Sequence, residues 1–128
     1  MNCPVCKDPM VILELNQVEI DNCFNCGGIW LDGGELEMLI ENETERKMLL
    51  DSFRVHNEVK EKKYKCPACR KKMLKVEVGK SNIIIDKCPN EHGLWFDKGE
   101  LENVLHAASL KEYDKIISLL KEVFKSKN

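Results

Sequence analysis

No stretch of this 128-residue chain is long and apolar enough to read as a membrane span. The longest run without Asp, Glu, Lys or Arg extends from Asn22 to Leu31, ten residues, against the roughly 20 a spanning helix needs. Met1-Asn2-Cys3-Pro4 does not open a basic region followed by an apolar one, so no secretory leader is expected and the expected compartment is the cytoplasm. The cysteine count is not even either. Seven cysteines cannot close a disulfide framework without leaving one over, and a reducing compartment disfavours disulfides in any case. What remains is an ordinary soluble composition, 33% charged and 43% hydrophobic with a formal net charge of −2. The length suits one domain or two very small ones.

The chain is one unit written twice. Cys3-Pro4-Val5-Cys6 recurs as Cys66-Pro67-Ala68-Cys69, and Gly28-Ile29-Trp30-Leu31-Asp32-Gly33-Gly34-Glu35-Leu36-Glu37 recurs as Gly93-Leu94-Trp95-Phe96-Asp97-Lys98-Gly99-Glu100-Leu101-Glu102. The first pair is offset by 63 residues and the second by 65. The insertion falls at a turn, Asn16-Gln17 in one copy and Gly79-Lys80-Ser81-Asn82 in the other. The copies occupy 1–63 and 64–128. Each divides into a ribbon, 1–40 or 64–105, and a helical remainder, 41–63 or a C-terminal helix over 109–127.

Within each copy, Met10 to Leu15 with Val18 to Asn22, and Met73 to Val78 with Ile83 to Lys87, read as paired strands around a turn. A short apolar stretch carrying the Trp follows. Then Asp32-x-x-Glu35 and Asp97-x-x-Glu100 read as capping boxes that open a helix, and Asn42-x-x-Glu45 and Ser109-x-x-Glu112 as further caps. Leu110, Tyr113, Ile117, Leu120 and Phe124 form an apolar stripe on the last helix, a surface for packing or for a homodimer.

The chemistry lies in the cysteines. Cys3, Cys6, Cys23 and Cys26 are two C-x-x-C pairs separated by sixteen residues, the spacing of a structural zinc site. The second copy offers Cys66, Cys69 and Cys88, with His92 four residues beyond Cys88. Zinc accepts an imidazole beside three thiolates. His92 therefore completes a second set and no cysteine is left over, so two Zn²⁺ per chain are expected. A ribbon of this size cannot stabilise itself by apolar burial alone, whereas structural zinc contributes about 10–16 kcal/mol of apparent binding free energy. Iron would suit the four-thiolate site, but His92 argues against a matched iron pair. Both sets look closed, unlike a catalytic zinc with an open position. The zinc deaminase signature is missing too, since Gly93-Leu94 follows His92 and Lys65 precedes Cys66. No catalytic residue is assigned, and the chain reads as non-enzymatic.

These residues together resemble the prokaryotic transcription factor zinc-finger family, whose ribbon is likened to that of transcription factor IIB. The shared pattern is CPxC, a hairpin, CxxC or CxxxH with glycine, and then W-[LF]-D-x-G-E-L. It stands here as Cys23 to Leu36 and as Cys88 to Leu101. The resemblance implies a zinc-binding ribbon in each copy. The expected fold class is small α+β, metal-stabilised, with two tandem zinc ribbons packed as a pseudo-symmetric pair, each a short antiparallel hairpin followed by helices.

Several residues admit two readings. Trp30 and Trp95 could stack on a base, but the ordinary expectation is that each covers its own zinc site and packs the following helix onto the hairpin. The paired carboxylates Asp32/Glu35 and Asp97/Glu100 are better read as caps than as a reactive pair. His56 and His106 have no spare ligands beside them and read as helix-surface residues. Charge separates the copies: residues 1–40 hold one lysine against seven acids, whereas residues 64–105 hold eight basic residues against six acidic. Four thiolates on one Zn²⁺ make the first ribbon more negative still, which disfavours phosphate. Lys65, Arg70, Lys71, Lys72 and Lys75 form a modest basic patch in the second ribbon, either a nucleic-acid contact or a solvated face. Three functions stay open on this reading. The leading one is a protein-interaction module with a transcription-related role; the others are nucleic-acid binding through the basic patch and a redox- or metal-responsive zinc-thiolate switch.

Overall fold

Asn16 and Gln17 both take positive φ, 50° and 68°. That is the mirror-image two-residue turn whose twist suits an antiparallel hairpin. Across it β1 (Val11–Leu15) pairs with β2 (Val18–Asn22), from Leu15 opposite Val18 to Val11 opposite Asn22. The chain is described as a computed structural model over residues 1–40, 42–56, 63–79 and 83–107. Both expected hairpins are present within one residue of their expected bounds.

Each hairpin gains a third strand that the sequence shows only as a short apolar stretch. β3 (Ile29–Asp32) follows the first hairpin. α1 (Glu35–Leu39) and α2 (Glu43–Asp51) come next, and then β4 (Phe53–Val55). The second copy runs through β5 (Leu74–Val78), β6 (Ile83–Lys87), β7 (Gly93–Phe96) and α3 (Glu100–Ala107). β3 and β7 pair with each other antiparallel, which joins both copies into one seven-stranded sheet of order β1-β2-β3-β7-β6-β5-β4. Trp30 stands opposite Trp95, its own counterpart in the repeat. A pseudo-twofold axis therefore passes through that pair.

The two faces of the seam serve different cores, because successive side chains of a strand point to opposite faces. Ile29 and Leu31 of β3 and Phe96 of β7 enter an apolar cluster with Leu15, Val18 and Ile20, with Val76, Val78 and Ile85, and with the helical residues Leu36, Leu39, Leu101, Val104 and Leu105. Each such side chain, fully buried, contributes about 1.5–3 kcal/mol. Trp30 and Trp95 point the other way, into a cluster with the metal-site cysteines, Met10 and Met73. The helices thus rest on one face and the cysteine sites lie on the other. Zinc is not the sole source of stability, since the copies share an apolar core that neither ribbon has alone.

The expected helical segment 41–63 is helical only in part. Asn42 caps α2, its Oδ1 accepting from the Glu45 N–H at 3.0 Å. The chain turns at Ser52 and β4 then adds to the outer edge of β5, Phe53 opposite Val78 and Val55 opposite Val76. His56 follows this strand and is not on a helix; its Nδ1 lies 3.7 Å from Glu77. His106 is exposed near the end of α3. The helix expected over 109–127, with the stripe from Leu110 to Phe124, lies outside the described residues. Among the described residues no helix is long and apolar enough to cross a membrane.

Candidate metal centres

Each C-x-x-C turn is closed by its own backbone. The N–H of Lys7 donates to the Cys3 carbonyl at 2.9 Å, that of Arg70 to Cys66 at 2.8 Å, and that of Gly27 to Cys23 at 2.8 Å. Such a turn aims two side chains at one point and turns spare N–H groups toward sulfur. Val5 and Cys6 donate to Cys3 Sγ at 3.3 and 3.2 Å, Ala68 to Cys66 Sγ at 3.3 Å, and Asn90 to Cys88 Sγ at 3.3 Å. These donors offset thiolate charge and orient the ligands.

The expected ligands converge in two groups. Cys3, Cys6, Cys23 and Cys26 form one, and Cys66, Cys69, Cys88 and His92 the other; in each, the four donor atoms lie within 4.8 Å of one another. Cys3 Sγ is 3.7 Å from Cys26 Sγ, and Cys69 Sγ is 3.6 Å from Cys88 Sγ. Sulfurs held tetrahedrally at about 2.3 Å from one ion stand about 3.8 Å apart, so the spacing fits a shared zinc. All seven cysteines are among the described residues, and none forms a disulfide. The chain has two cysteine-rich sites, each fit for one Zn²⁺. His92 reaches its site because Glu91 takes a left-handed φ of 64°, which accommodates the extra residue of C-x-x-x-H. Its Nδ1 stands 3.5 Å from Cys88 Sγ.

Protons must leave these sulfurs when a metal enters. Burial pushes the Cys3 and Cys26 thiols up, and that of Cys66 to about 11. At Cys23 burial acts upward too, but the N–H groups of Cys26 and Asn25 outweigh it and the thiol lies below its ordinary value. The N–H of Lys71 brings the half-buried Cys69 down to about 6. Zinc would displace protons from the raised thiols, Cys3, Cys26 and Cys66.

The tryptophans lie among the cysteines of both sites, and each also reaches across the seam. A Cβ on Gly28 would lie 2.1 Å from the Trp95 ring, and one on Gly93 would lie 2.6 Å from the Trp30 ring. Each indole packs against a glycine just past the other copy's last ligand, Gly28 two residues after Cys26 and Gly93 one after His92. The indoles do not hold the helices, which rest on the opposite face. The carboxylates are also corrected. Asp32 Oδ1 accepts from Trp30 Nε1 at 2.8 Å and Asp97 Oδ1 from Trp95 Nε1 at 3.0 Å, so both Asp side chains anchor indoles. Only the return half of the expected capping box forms: Glu35 and Glu100 accept from the N–H of Asp32 and Asp97. Gly34 occupies the α1 N-cap with no side-chain bond. W-x-D, present in both copies, was the available signal for this anchor.

The basic patch loses one member. Lys65, Arg70, Lys71 and Lys72 are exposed. Lys75 is buried, with its Nζ 2.7 Å from Asp86 Oδ1 and 5.7 Å from the centre of the Tyr64 ring. Its charge is matched inside the fold because the hairpin sets Lys75 directly opposite Asp86.

Against known proteins, the family model described as "Transcription factor zinc-finger" matches residues 2–42 and again residues 65–107. No curated protein and no solved structure matches the chain. The two matches cover both ligand sets and most of the sequence, and the chain belongs to the transcription factor zinc-finger family, with two copies of its zinc ribbon.

Proposed function

We propose that the chain is a non-catalytic interaction module that binds a protein partner in a transcription-related setting. One observation carries this reading: each site is surrounded by four protein donors within 4.8 Å of one another, the full set of a structural zinc, with no position left for a substrate. The zinc sites then act as fasteners, and function belongs to the surface they hold in shape. The test is capture by the immobilised, zinc-loaded chain under reducing conditions, with and without nuclease. A stoichiometric protein retained after nuclease treatment is the expected result; retention of nothing in either arm would refute the reading.

Nucleic-acid binding through the second ribbon is a second reading, supported by the exposed cluster Lys65, Arg70, Lys71 and Lys72. Phosphate contacts release counterions, so such binding weakens steeply with salt. Neutralising Arg70, Lys71 and Lys72 together should remove it. Unchanged binding and an unchanged salt slope would exclude this surface.

A further inference from the structure

The sheet is symmetric except at its ends. On the second-copy side β5 is covered by β4, with Arg54 opposite Glu77 between the pairs Phe53–Val78 and Val55–Val76. On the first-copy side β1 is the terminal strand. The repeat makes Leu13, Glu14 and Leu15 the counterparts of Val76, Glu77 and Val78, and among the described residues no strand pairs with this same apolar-acidic-apolar edge. It carries none of the usual protection of an edge strand, a lysine, a proline or a bulge within the strand. Val11 and Ile12 are instead 42% and 65% exposed. The ladder to β2 starts from the closing pair Leu15–Val18. Its alternation turns the backbone groups of Ile12 and Glu14 outward. In the second copy the corresponding Lys75 carbonyl accepts from the His56 N–H at 2.8 Å.

We infer that β1 is a docking edge for an extended segment of a partner protein that pairs antiparallel to it, with a basic residue opposite Glu14 between two apolar ones. The inference rests on the interaction-module reading and gives its partner a chemistry. Three observations select this occupant. First, β4 is the same chemistry already seated on the equivalent edge. Second, Glu14 lies opposite Glu19 in the hairpin, within a ribbon that holds seven acids and one lysine over residues 1–40, and a basic strand relieves that charge. Third, the segments of residues 1–128 with a basic residue between two apolar ones are already engaged: Phe53-Arg54-Val55 and Leu74-Lys75-Val76 lie in the sheet, Tyr64-Lys65-Cys66 runs into the second metal site, and residues 108–128 contain none. Main-chain hydrogen bonds would supply affinity and the central charge would supply selectivity, as in other strand-addition complexes.

The test uses the zinc-loaded full chain and a synthetic peptide with the sequence of residues 51–56, Asp-Ser-Phe-Arg-Val-His, followed by backbone NMR. The expected result is saturable shifts confined to Val11–Leu15 and its neighbours. Exchanging the peptide's Arg for Glu should weaken binding roughly fivefold or more, and Glu14→Lys in the protein should do the same and recover affinity for the Glu peptide. Glu14 is exposed, so the variant keeps the fold, which its zinc content verifies. Absence of shifts, shifts at β5 from displacement of β4, insensitivity to the charge exchange, or self-association of the chain through β1 would each overturn the assignment. So would binding that appears only once residues 108–128 are deleted. These failures leave the capture experiment free to succeed through another surface, whereas a failed capture with successful peptide docking would place the fault in the wider functional reading.

Discussion

Trp30 and Trp95 oppose each other across β3 and β7, and each indole lies against a glycine of the other copy, Trp30 on Gly93 and Trp95 on Gly28. The contact is reciprocal and close, and each glycine lies within two residues of a metal ligand, Gly28 of Cys26 and Gly93 of His92. The seam, the tryptophans and the two cysteine sites therefore form one packed unit, with each copy supplying a side chain that completes the other's surroundings.

A methyl group at either glycine has nowhere to go. At Gly28 it would meet the Trp95 ring, and at Gly93 the Leu31 carbonyl, at 2.1 and 2.2 Å. Gly28→Ala and Gly93→Ala should each lower stability by about 1–3 kcal/mol or more, the cost of overpacking a filled core. Urea unfolding of the zinc-loaded variants measures it. Unchanged midpoints would mean that the indoles do not cross the seam.

Lys75 and Asp86 test a buried charge. Both are almost wholly inaccessible, so Lys75→Met would remove the matching charge from a buried carboxylate, at a cost of about 3–5 kcal/mol. The double variant Lys75→Met with Asp86→Asn should recover much of that loss. If the double variant is no better than the single one, the pair does not act as a unit.

Glu35 gives a pH dependence of definite sign. Burial, helped by Asp32, Asp21 and Glu19, holds its carboxyl at about 7 despite the donor N–H of Asp32, against an ordinary value of 4.5. The folded chain binds this proton more tightly than the unfolded chain, so its contribution is full below pH 4.5 and falls away as pH rises toward 7. Glu35→Gln, whose amide oxygen can still accept from Asp32, should stabilise the protein more at pH 8 than at pH 5. Thermal melts at the two pH values give the comparison; an equal effect at both would contradict the shift.

Much of this was legible in the chain because it is encoded locally. The ligands announce themselves by spacing, and both hairpins by β-branched runs around turn residues. The cap at Asn42 is equally local, its side chain reaching the N–H three residues on. What escaped was set by contacts distant in sequence. Ile29–Asp32 and Gly93–Phe96 are too short, and too fully covered on both faces, to show the alternation that marks a strand. Asp32-x-x-Glu35 has the letters of a capping box, but the indole N–H of Trp30 takes the Asp carboxylate first. Phe53–Val55 is a strand only because β5 offers it an edge. Lys75 looked like part of a basic surface, although Asp86 at the mirrored position of the same hairpin was a visible hint that it was not.

The account depends most on two closed zinc sites in one chain, and native mass spectrometry of the reduced, full-length protein tests that most directly. The expected mass carries two zinc ions, with Cys66→Ser and Cys23→Ser each weakening retention of only the ion of their own site. A protein that holds fewer than two zinc ions while all seven thiols are reduced, or that carries iron in the four-cysteine site, would contradict it.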